Sequence, residues 1–226
     1  MAKNILVLAP HADDEILGCG GTIARYIQQN ERVYVSILTN ASVGAPEIYD
    51  SEMIEKVRSE ALLAHKLLGI SETFFFDLPA PQLEQHPQYQ IASLILKIIN
   101  DVQPEVLFVP HRGDLHLDHG AVFNAAMVAA RPQRGMTVKS VLAYETLSET
   151  DWAHPFPDTT FIPNFFVKLT ESQLGKKLEA MKVFSSQLKD FPHPRSIRAI
   201  DALARIRGST VGAASAESFM SIRIVE

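Results

Sequence analysis

Two short segments of the chain are rich in histidine and carboxylate side chains and could bind a metal ion. The first runs from His11 to Glu15 with the sequence His-Ala-Asp-Asp-Glu, and the second, residues 111–119, holds three of the chain's eight histidines. Imidazole and carboxylate donors together suit zinc, whereas sites made only of oxygen atoms suit magnesium or calcium. The two segments therefore predict a zinc site, provided that the fold brings them together.

A catalytic zinc site would make these residues a hydrolytic centre. Such sites typically have three protein ligands and one open position, and zinc lowers the pKa of bound water to about 7. Hydrolysis of an amide also needs a base for the water proton, positive charge near the tetrahedral oxyanion and a proton for the leaving amine. A carboxylate and an imidazolium that do not bind the metal would meet these needs, and the two segments hold more histidines and carboxylates than three ligands require.

Each segment also has a simpler interpretation when it is taken alone. Asp13, Asp14 and Glu15 could form the acidic first turn of a helix, where carboxylates stabilise free backbone amides. Residues 111–119 could be a solvated loop in which Asp118 caps the next helix. A helix N-terminus gains nothing from a histidine, so the first interpretation leaves His11 unexplained.

Strands and helices that must position the two segments alternate along the first two thirds of the chain. Apolar runs predict strands at 4–9, 32–39, 73–77, 105–110 and 138–145. Helical spacing predicts helices at 15–30, 50–68, 89–102 and 118–130. This order predicts an α/β fold, a Rossmann-like three-layer sandwich with a mostly parallel sheet. Ligands bind at the carboxyl ends of the strands in such sheets, so the two segments should meet at that edge and form the active site.

The whole chain, residues 1–226, is predicted to form a single domain with a less regular C-terminal third from about residue 146. Its proline-rich stretch 150–164 predicts a surface loop. Further elements are predicted as strands at 165–169 and 218–225 and helices at 171–188 and 195–207. No change in composition marks a linker between two domains.

Length and composition argue against several classes of protein. The chain has 226 residues, of which 46% are hydrophobic and 21% charged, as in ordinary globular proteins. The net charge of −5 argues against a nucleic-acid partner. No stretch approaches the ~20 apolar residues of a membrane span, and the single cysteine, Cys19, excludes an intramolecular disulfide. We expect a cytoplasmic protein, and the sequence leaves its oligomeric state open, a homo-oligomer included.

The stretch Gly18-Cys19-Gly20-Gly21 is similar to a dinucleotide-binding fingerprint but differs in its position. That fingerprint places its first glycine in the strand–helix turn, where this chain has three carboxylates that would repel a pyrophosphate. The small residues are instead predicted to let the helix pack closely on the sheet.

Taken together, the two segments resemble motifs of the PIG-L/LmbE-like zinc-dependent N-deacetylases, which remove the acetyl group from N-acetylglucosamine-type substrates. That family carries His-Pro-Asp-Asp-Glu after its first strand, where this chain has Ala12 in place of the proline. It also carries a His-x-Asp-His element, which matches residues 116–119 here. Weaker similarities at residues 58–61, 68–69, 186–187 and 216–219 extend the resemblance over nearly the whole chain.

The resemblance implies a role for each matching residue. It implies His11, Asp14 and His119 as ligands of Zn²⁺. It implies Asp13 as the general base, His116 as the group that faces the oxyanion, and Asp118 as the residue that orients or charge-pairs His116. Arg58 would bind the substrate, a small N-acetylated sugar or glycoconjugate.

Two other functions fit the same residues. A two-metal phosphoesterase would need more carboxylates around a second ion, and Asp77, Asp114 and Glu145 are the candidates. A non-catalytic sugar-binding Rossmann-like domain would bind its ligand without turnover, although binding alone needs no base such as Asp13. Four further residues could line the pocket or lie on the surface: Arg112, Trp152, His154 and Arg195.

Overall fold

The computed structural model describes residues 2–225 and arranges strands and helices in the predicted alternation. The strands are β1 (Asn4–Ala9), β2 (Arg32–Asn40), β3 (Glu72–Pro79), β4 (Val106–Pro110), β5 (Ser140–Tyr144), β6 (Phe165–Lys168) and β7 (Ala216–Ile224). The helices are α1 (Asp14–Gln28), α2 (Ala41–Gly44), α3 (Ser51–Leu68), α4 (Gln88–Val102), α5 (Leu117–Ala129), α6 (Glu171–Val183) and α7 (Ile197–Thr210). A 3₁₀ helix, Leu83–Gln85, lies between β3 and α4.

All seven strands form one sheet in the order β3-β2-β1-β4-β5-β7-β6. The first five strands of the chain run parallel, and β7 is antiparallel to both β5 and β6. The predicted α/β fold with a mostly parallel sheet is confirmed. Strands from both ends of the chain share this sheet, which supports our proposal that the chain is a single domain.

The sheet is buried on both faces, because its side chains alternate between two helical layers. In β1, Ile5, Val7 and Ala9 pack with α1, α3, α6 and α7, whereas Leu6 and Leu8 pack with α4 and α5. A strand that is buried on both faces has a continuous run of apolar residues in its sequence, as β1 has in NILVLA.

Helix α1 packs closely on the sheet through its glycines, as predicted. A Cβ atom on Gly18 would lie 2.3 Å from the ring of Tyr144, and one on Gly21 would lie 2.4 Å from the side chain of Leu169. A side chain at either position would force the neighbouring side chain to move.

A buried ion pair forms hydrogen bonds with backbone groups of α1. Lys177 Nζ donates to the Leu17 carbonyl at 2.7 Å and contacts Glu217 Oε1 at 2.6 Å. The Glu217 carboxylate accepts from the backbone amides of Gly21 and Thr22. This pair therefore connects α1 to α6 and β7 inside the core.

Several boundaries differ from the prediction for local reasons. The helix expected at 171–188 ends at Val183, because Ser185 and Ser186 hydrogen-bond to the Glu60 carboxylate of α3. The helix expected at 195–207 spans 197–210, because Ser196 caps it by accepting from the Ala199 amide. The stretch 145–164 consists of turns and irregular structure, in agreement with the predicted loop. Within residues 2–225, the helices are too short or too polar to cross a membrane.

Candidate active site

The two segments meet because β1 and β4 are parallel neighbours in the sheet. Ile5 pairs with Val106 and Val7 with Phe108, so the residues that follow each strand lie side by side at the carboxyl edge. His11 lies in the turn after β1, and Asp14 is the first residue of α1. His119 lies in the first turn of α5, and the predicted meeting of the segments is confirmed.

His11, Asp14 and His119 form a cluster with the geometry of a metal-binding site. One potential ligand atom from each residue lies within 4.8 Å of the others. The Oδ2 atom of Asp14 lies 3.2 Å from His11 Nδ1 and 3.2 Å from His119 Nε2. Two imidazoles and one carboxylate are a donor set typical of catalytic zinc sites.

Two buried polar atoms of this cluster, Asp14 Oδ1 and His119 Nε2, lack a hydrogen-bond partner within the described chain. The 3.2 Å contact of His119 Nε2 with Asp14 Oδ2 does not have hydrogen-bond geometry. An unpaired buried polar group costs about 1–3 kcal/mol, so such atoms are rare without a reason. A cation among the three side chains would satisfy both. The residues present therefore fit a metal ion.

The cluster stabilises positive charge. Burial opposes protonation of His11, but hydrogen bonds to Asp118 and Asp14 outweigh it and raise the pKa of His11 to about 9. Burial also opposes protonation of His119, yet the charges of Asp14 and Asp114 raise its pKa well above the usual value. Burial would raise the pKa of Asp14, but the charged histidines hold it well below its usual range. A metal ion would be stabilised by the same field.

Asp13 faces the cleft beside this cluster from a strained backbone conformation. Its φ of 120° lies in a region that side-chain-bearing residues rarely adopt, at a cost of about 1–3 kcal/mol. The Asp13 amide donates to Glu15 Oε2 at 3.1 Å, and Glu15 Oε1 contacts His65 Nε2 at 2.9 Å.

The carboxylate of Asp13 makes an ion pair instead of capping α1. Arg195 Nη1 donates to Asp13 Oδ2 at 3.1 Å, and no backbone amide of α1 bonds to the Asp13 side chain. Burial raises the pKa of Asp13 to about 7, although the Arg195 guanidinium opposes that shift. Asp13, Asp14 and Glu15 do lie at the N-terminus of α1, but the Asp13 side chain does not stabilise the free amides there.

His116 lies against His11, with 4.4 Å between the ring centroids. Its Nδ1 accepts a hydrogen bond from the Asp118 amide at 3.2 Å, which leaves Nε2 as the nitrogen that carries the proton. Burial and the nearby His11 lower the pKa of His116 to about 4. This geometry favours a neutral imidazole with an Nε2–H donor over the imidazolium expected from the sequence.

Asp118 contacts His11 more closely than it contacts His116. Its Oδ2 lies 3.1 Å from His11 Nε2 and 3.9 Å from His116 Nδ1, and its Oδ1 accepts from the Leu83 amide. The N-cap of α5 is His116, so the interpretation of Asp118 as the helix cap is wrong.

A cleft of about 560 Å³ opens above these residues, a volume ordinary for a small-molecule site. Its walls include His11, Asp13, His116, Arg58 and Arg195. Arg58 projects from α3 and donates to Asp77 Oδ1 at 2.7 Å and to the Phe76 carbonyl.

The carboxylates that a second metal ion would need are engaged elsewhere. Asp77 pairs with Arg58, and Glu145 accepts from Arg207 and Ser218. Asp114 contacts His119 on the ring nitrogen that faces away from Asp14. These positions do not favour a two-metal phosphoesterase.

Of the four additional residues considered from the sequence, Arg195 lines the cleft. Arg112 donates to the Asp158 carbonyl, Trp152 lies against His193, and His154 lines a separate cavity between the stretch 145–161 and α7. The neighbours of Arg195 include Ser148, Glu149 and Gln187, which could not be predicted from the sequence because they lie 8 to 47 residues away in irregular stretches. The Ser-Gln pair at 186–187 was the one available signal.

The fold and the site define a Rossmann-like α/β protein with a candidate metal centre at the carboxyl edge of its sheet. The chain belongs to the PIG-L family: the model described as "PIG-L: GlcNAc-PI de-N-acetylase" matches residues 6–130, more than half of the chain. The family predicted from the sequence is therefore confirmed.

Relatives with named activities cover much of the chain. It is 31% identical over 188 residues to the uncharacterized deacetylase YaiS of Escherichia coli K12, a match that covers 81% of this chain and 91% of YaiS. It is 29% identical over 136 residues to a probable N-acetyl-alpha-D-glucosaminyl L-malate deacetylase 2 of Bacillus subtilis, covering 57% of this chain and 61% of that protein.

The fold also occurs in an enzyme with another named reaction. GalB, the 4-carboxy-2-hydroxymuconate hydratase of Pseudomonas putida KT2440, superposes with a TM-score of 0.78 at 21% identity. The match covers 99% of this chain and 98% of GalB. This likeness concerns the fold alone, so the reaction must be argued from the site residues.

Proposed function

We propose that this protein is a zinc-dependent hydrolase that removes the N-acetyl group from an N-acetylglucosamine-type sugar or sugar conjugate and releases acetate. The observation that carries the proposal is the pair of buried, unpartnered atoms, Asp14 Oδ1 and His119 Nε2, beside His11. The side chains of Asp13 and His116 line the cleft beside these atoms.

In this proposal His11, Asp14 and His119 hold the zinc ion. Bound there, zinc would supply a Lewis acid for the amide carbonyl and lower the pKa of water to about 7. Asp114 orients His119, and Asp118 orients His11, through contacts of 2.7 and 3.1 Å. Such carboxylate–histidine pairs fix the ring orientation and the tautomer of a metal ligand.

Asp13 acts as the general base and accepts the proton of the attacking water. It is buried, lies beside the three proposed ligands and faces the cleft. A carboxyl with a pKa near 7 is well matched to proton transfer at neutral pH. The strained backbone of Asp13 is typical of residues held in place for catalysis.

His116 donates a hydrogen bond from Nε2–H to the oxyanion of the tetrahedral intermediate. A fixed donor of this kind typically contributes about 10²–10³-fold to the rate. The proton for the leaving amine comes from Asp13, which holds it after the first transfer and lines the cleft. His116 lines the same cleft, but as a neutral imidazole it would have to become an imidazolate to supply that proton.

The substrate class rests on the family and on the relatives. The family description names a GlcNAc-PI de-N-acetylase, and the Bacillus subtilis relative is named for an N-acetyl-glucosaminyl substrate. Arg58 would bind the sugar from the cleft wall, where Asp77 holds its guanidinium. The proposal includes a cytoplasmic location, which is compatible with a chain whose single cysteine, Cys19, is free and buried.

The experiment is an acetate-release assay of the zinc-loaded protein over a panel of N-acetylated sugars and glycosides. We expect turnover of at least one N-acetylglucosamine derivative and its loss in Asp13→Asn. Binding of the panel without acetate release would contradict the proposal and favour the sugar-binding domain instead.

A further inference from the structure

Arg195 is the one cationic side chain that contacts Asp13 among the described hydrogen bonds and ion pairs. It lies in the loop before α7, 182 residues from Asp13 along the chain and outside the stretch 6–130 that matches the family model. Its side chain is 20% exposed and borders the cleft.

The guanidinium of Arg195 is fixed by four contacts to four different side chains. Nε donates to Ser148 Oγ at 2.7 Å, and Nη2 donates to Glu149 Oε1 at 3.3 Å. Nη1 donates to Asp13 Oδ2 at 3.1 Å and to Gln187 Oε1 at 3.4 Å. An arginine has five N–H donors, so these contacts leave one for any other partner.

This arrangement argues against substrate binding as the main role of Arg195. A side chain that binds substrate keeps N–H donors free toward the cleft. The Arg195 guanidinium does not, because four of its donors are already engaged. Ser148, Glu149 and Gln187 instead hold the planar group so that one edge faces Asp13. Arg195 then fixes the orientation of the Asp13 carboxylate, although Arg195 lies outside the turn that carries Asp13.

We propose that Arg195 is a positioning residue that holds the Asp13 carboxylate in its catalytic orientation. The inference rests on the proposed role of Asp13 as the general base. Misplacement of a catalytic group by about 1 Å can cost ~10²-fold in rate, so an effect on kcat is expected. Lysine would preserve the charge but lacks the rigid fork that reaches Asp13, Ser148 and Glu149 together.

The test is a double-mutant cycle in kcat between Arg195→Met and Asp13→Asn. If Arg195 acts through Asp13, Arg195→Met lowers kcat roughly 10–100-fold in the wild-type background and less than about 2-fold in the Asp13→Asn background. KM changes less than kcat, and zinc content stays unchanged. An equal fold-loss in both backgrounds would overturn the proposal.

Two controls separate positioning from a general structural effect. Arg198→Met removes an exposed arginine three residues away, which lies over the Phe191 ring, and should leave kcat unchanged. Arg58→Met should raise KM by the same factor in both backgrounds, because Arg58 does not contact Asp13.

Chemical rescue gives a second readout, also usable if Arg195→Met folds poorly. Ethylguanidinium should restore part of the kcat of Arg195→Ala, whereas ethylammonium should not, because the site holds a planar fork. Arg195→Lys should retain a partial rate. Equal rescue by the two cations, or none by either, would contradict positioning by the guanidinium. Loss of activity in Asp13→Asn with normal zinc supports the proposed function independently of these outcomes.

Discussion

Asp114 Oδ2 lies 2.7 Å from His119 Nδ1, and this contact decides which nitrogen of His119 faces Asp14. The carboxylate accepts the Nδ1 proton, so Nε2 is the nitrogen that points to the cluster with His11. Thr150 Oγ1 donates to the other oxygen of Asp114 and fixes that carboxylate in turn. The sequence suggested Asp114 as a ligand of a second metal, but the structure assigns it a contact with a proposed ligand of the first.

We predict that Asp114→Asn weakens zinc binding without removing a ligand. Loss of a carboxylate that orients a metal-binding histidine typically costs 10–100-fold in metal affinity. Zinc competition with a chromophoric chelator would measure the change. Asp77→Asn is the matched control, because Asp77 holds Arg58 at the rim and should leave the zinc affinity unaltered. Equal affinities in wild type and Asp114→Asn would contradict the assignment.

Substitution by asparagine should separate the roles of the adjacent residues Asp13 and Asp14. Asp13→Asn should keep its zinc and lose about 10²–10⁴-fold in kcat, because asparagine cannot accept a proton at neutral pH. Asp14→Asn should lose zinc, since it removes a charged ligand. Metal analysis and single-turnover rates of both variants make the comparison. Zinc loss in Asp13→Asn with retention in Asp14→Asn would reverse the two roles.

The zinc content of His11→Ala and His119→Ala tests the rest of the ligand set. Each variant removes one of three proposed ligands, so we expect each to retain much less than the one zinc ion per chain expected for wild type. His86→Ala is a suitable control, because that histidine lies beside the 3₁₀ helix and outside the cluster. Full zinc occupancy in either ligand variant would refute the assignment of that residue.

Arg58→Ala should raise KM more than it lowers kcat. The guanidinium lies on the cleft wall and does not contact the proposed catalytic residues, so it would bind substrate and transition state equally. Asp77→Asn should raise KM in the same direction by a smaller factor, because Arg58 keeps its bond to the Phe76 carbonyl. Steady-state kinetics measures both, and unchanged parameters in Arg58→Ala would mean that the residue only connects α3 to β3.

Lys177→Met should destabilise the fold by about 3–5 kcal/mol, because it leaves the Glu217 carboxylate buried without its cation. Its neighbour Lys176 provides the control, since its pair with Glu179 is exposed and spans 3.8 Å. Lys176→Met should therefore change the free energy of unfolding by less than about 1 kcal/mol. Urea denaturation followed by circular dichroism gives both values. Similar losses of unfolding free energy in the two variants would contradict the prediction that the buried pair contributes more to stability than the exposed pair.

The sequence alone determined the α/β fold and the meeting of His11, Asp14 and His119. Apolar runs of strand length that alternate with helical spacing leave few topologies, and a parallel sheet brings the ends of β1 and β4 to one edge. The position of β7 between β5 and β6 and its antiparallel direction did not follow from local pattern, because β7 pairs with β5 across 75 to 84 residues.

Tertiary structure alone decided how the site residues are oriented. Whether Asp114 faces the metal position or the back of His119 depends on the path of the loop 111–116, and residue spacing does not encode that path. The approach of Arg195 to Asp13 depends on three irregular segments packing together, far apart in the chain. Local propensity fixes helices and strands, whereas such side-chain contacts arise only when the whole chain has closed around them.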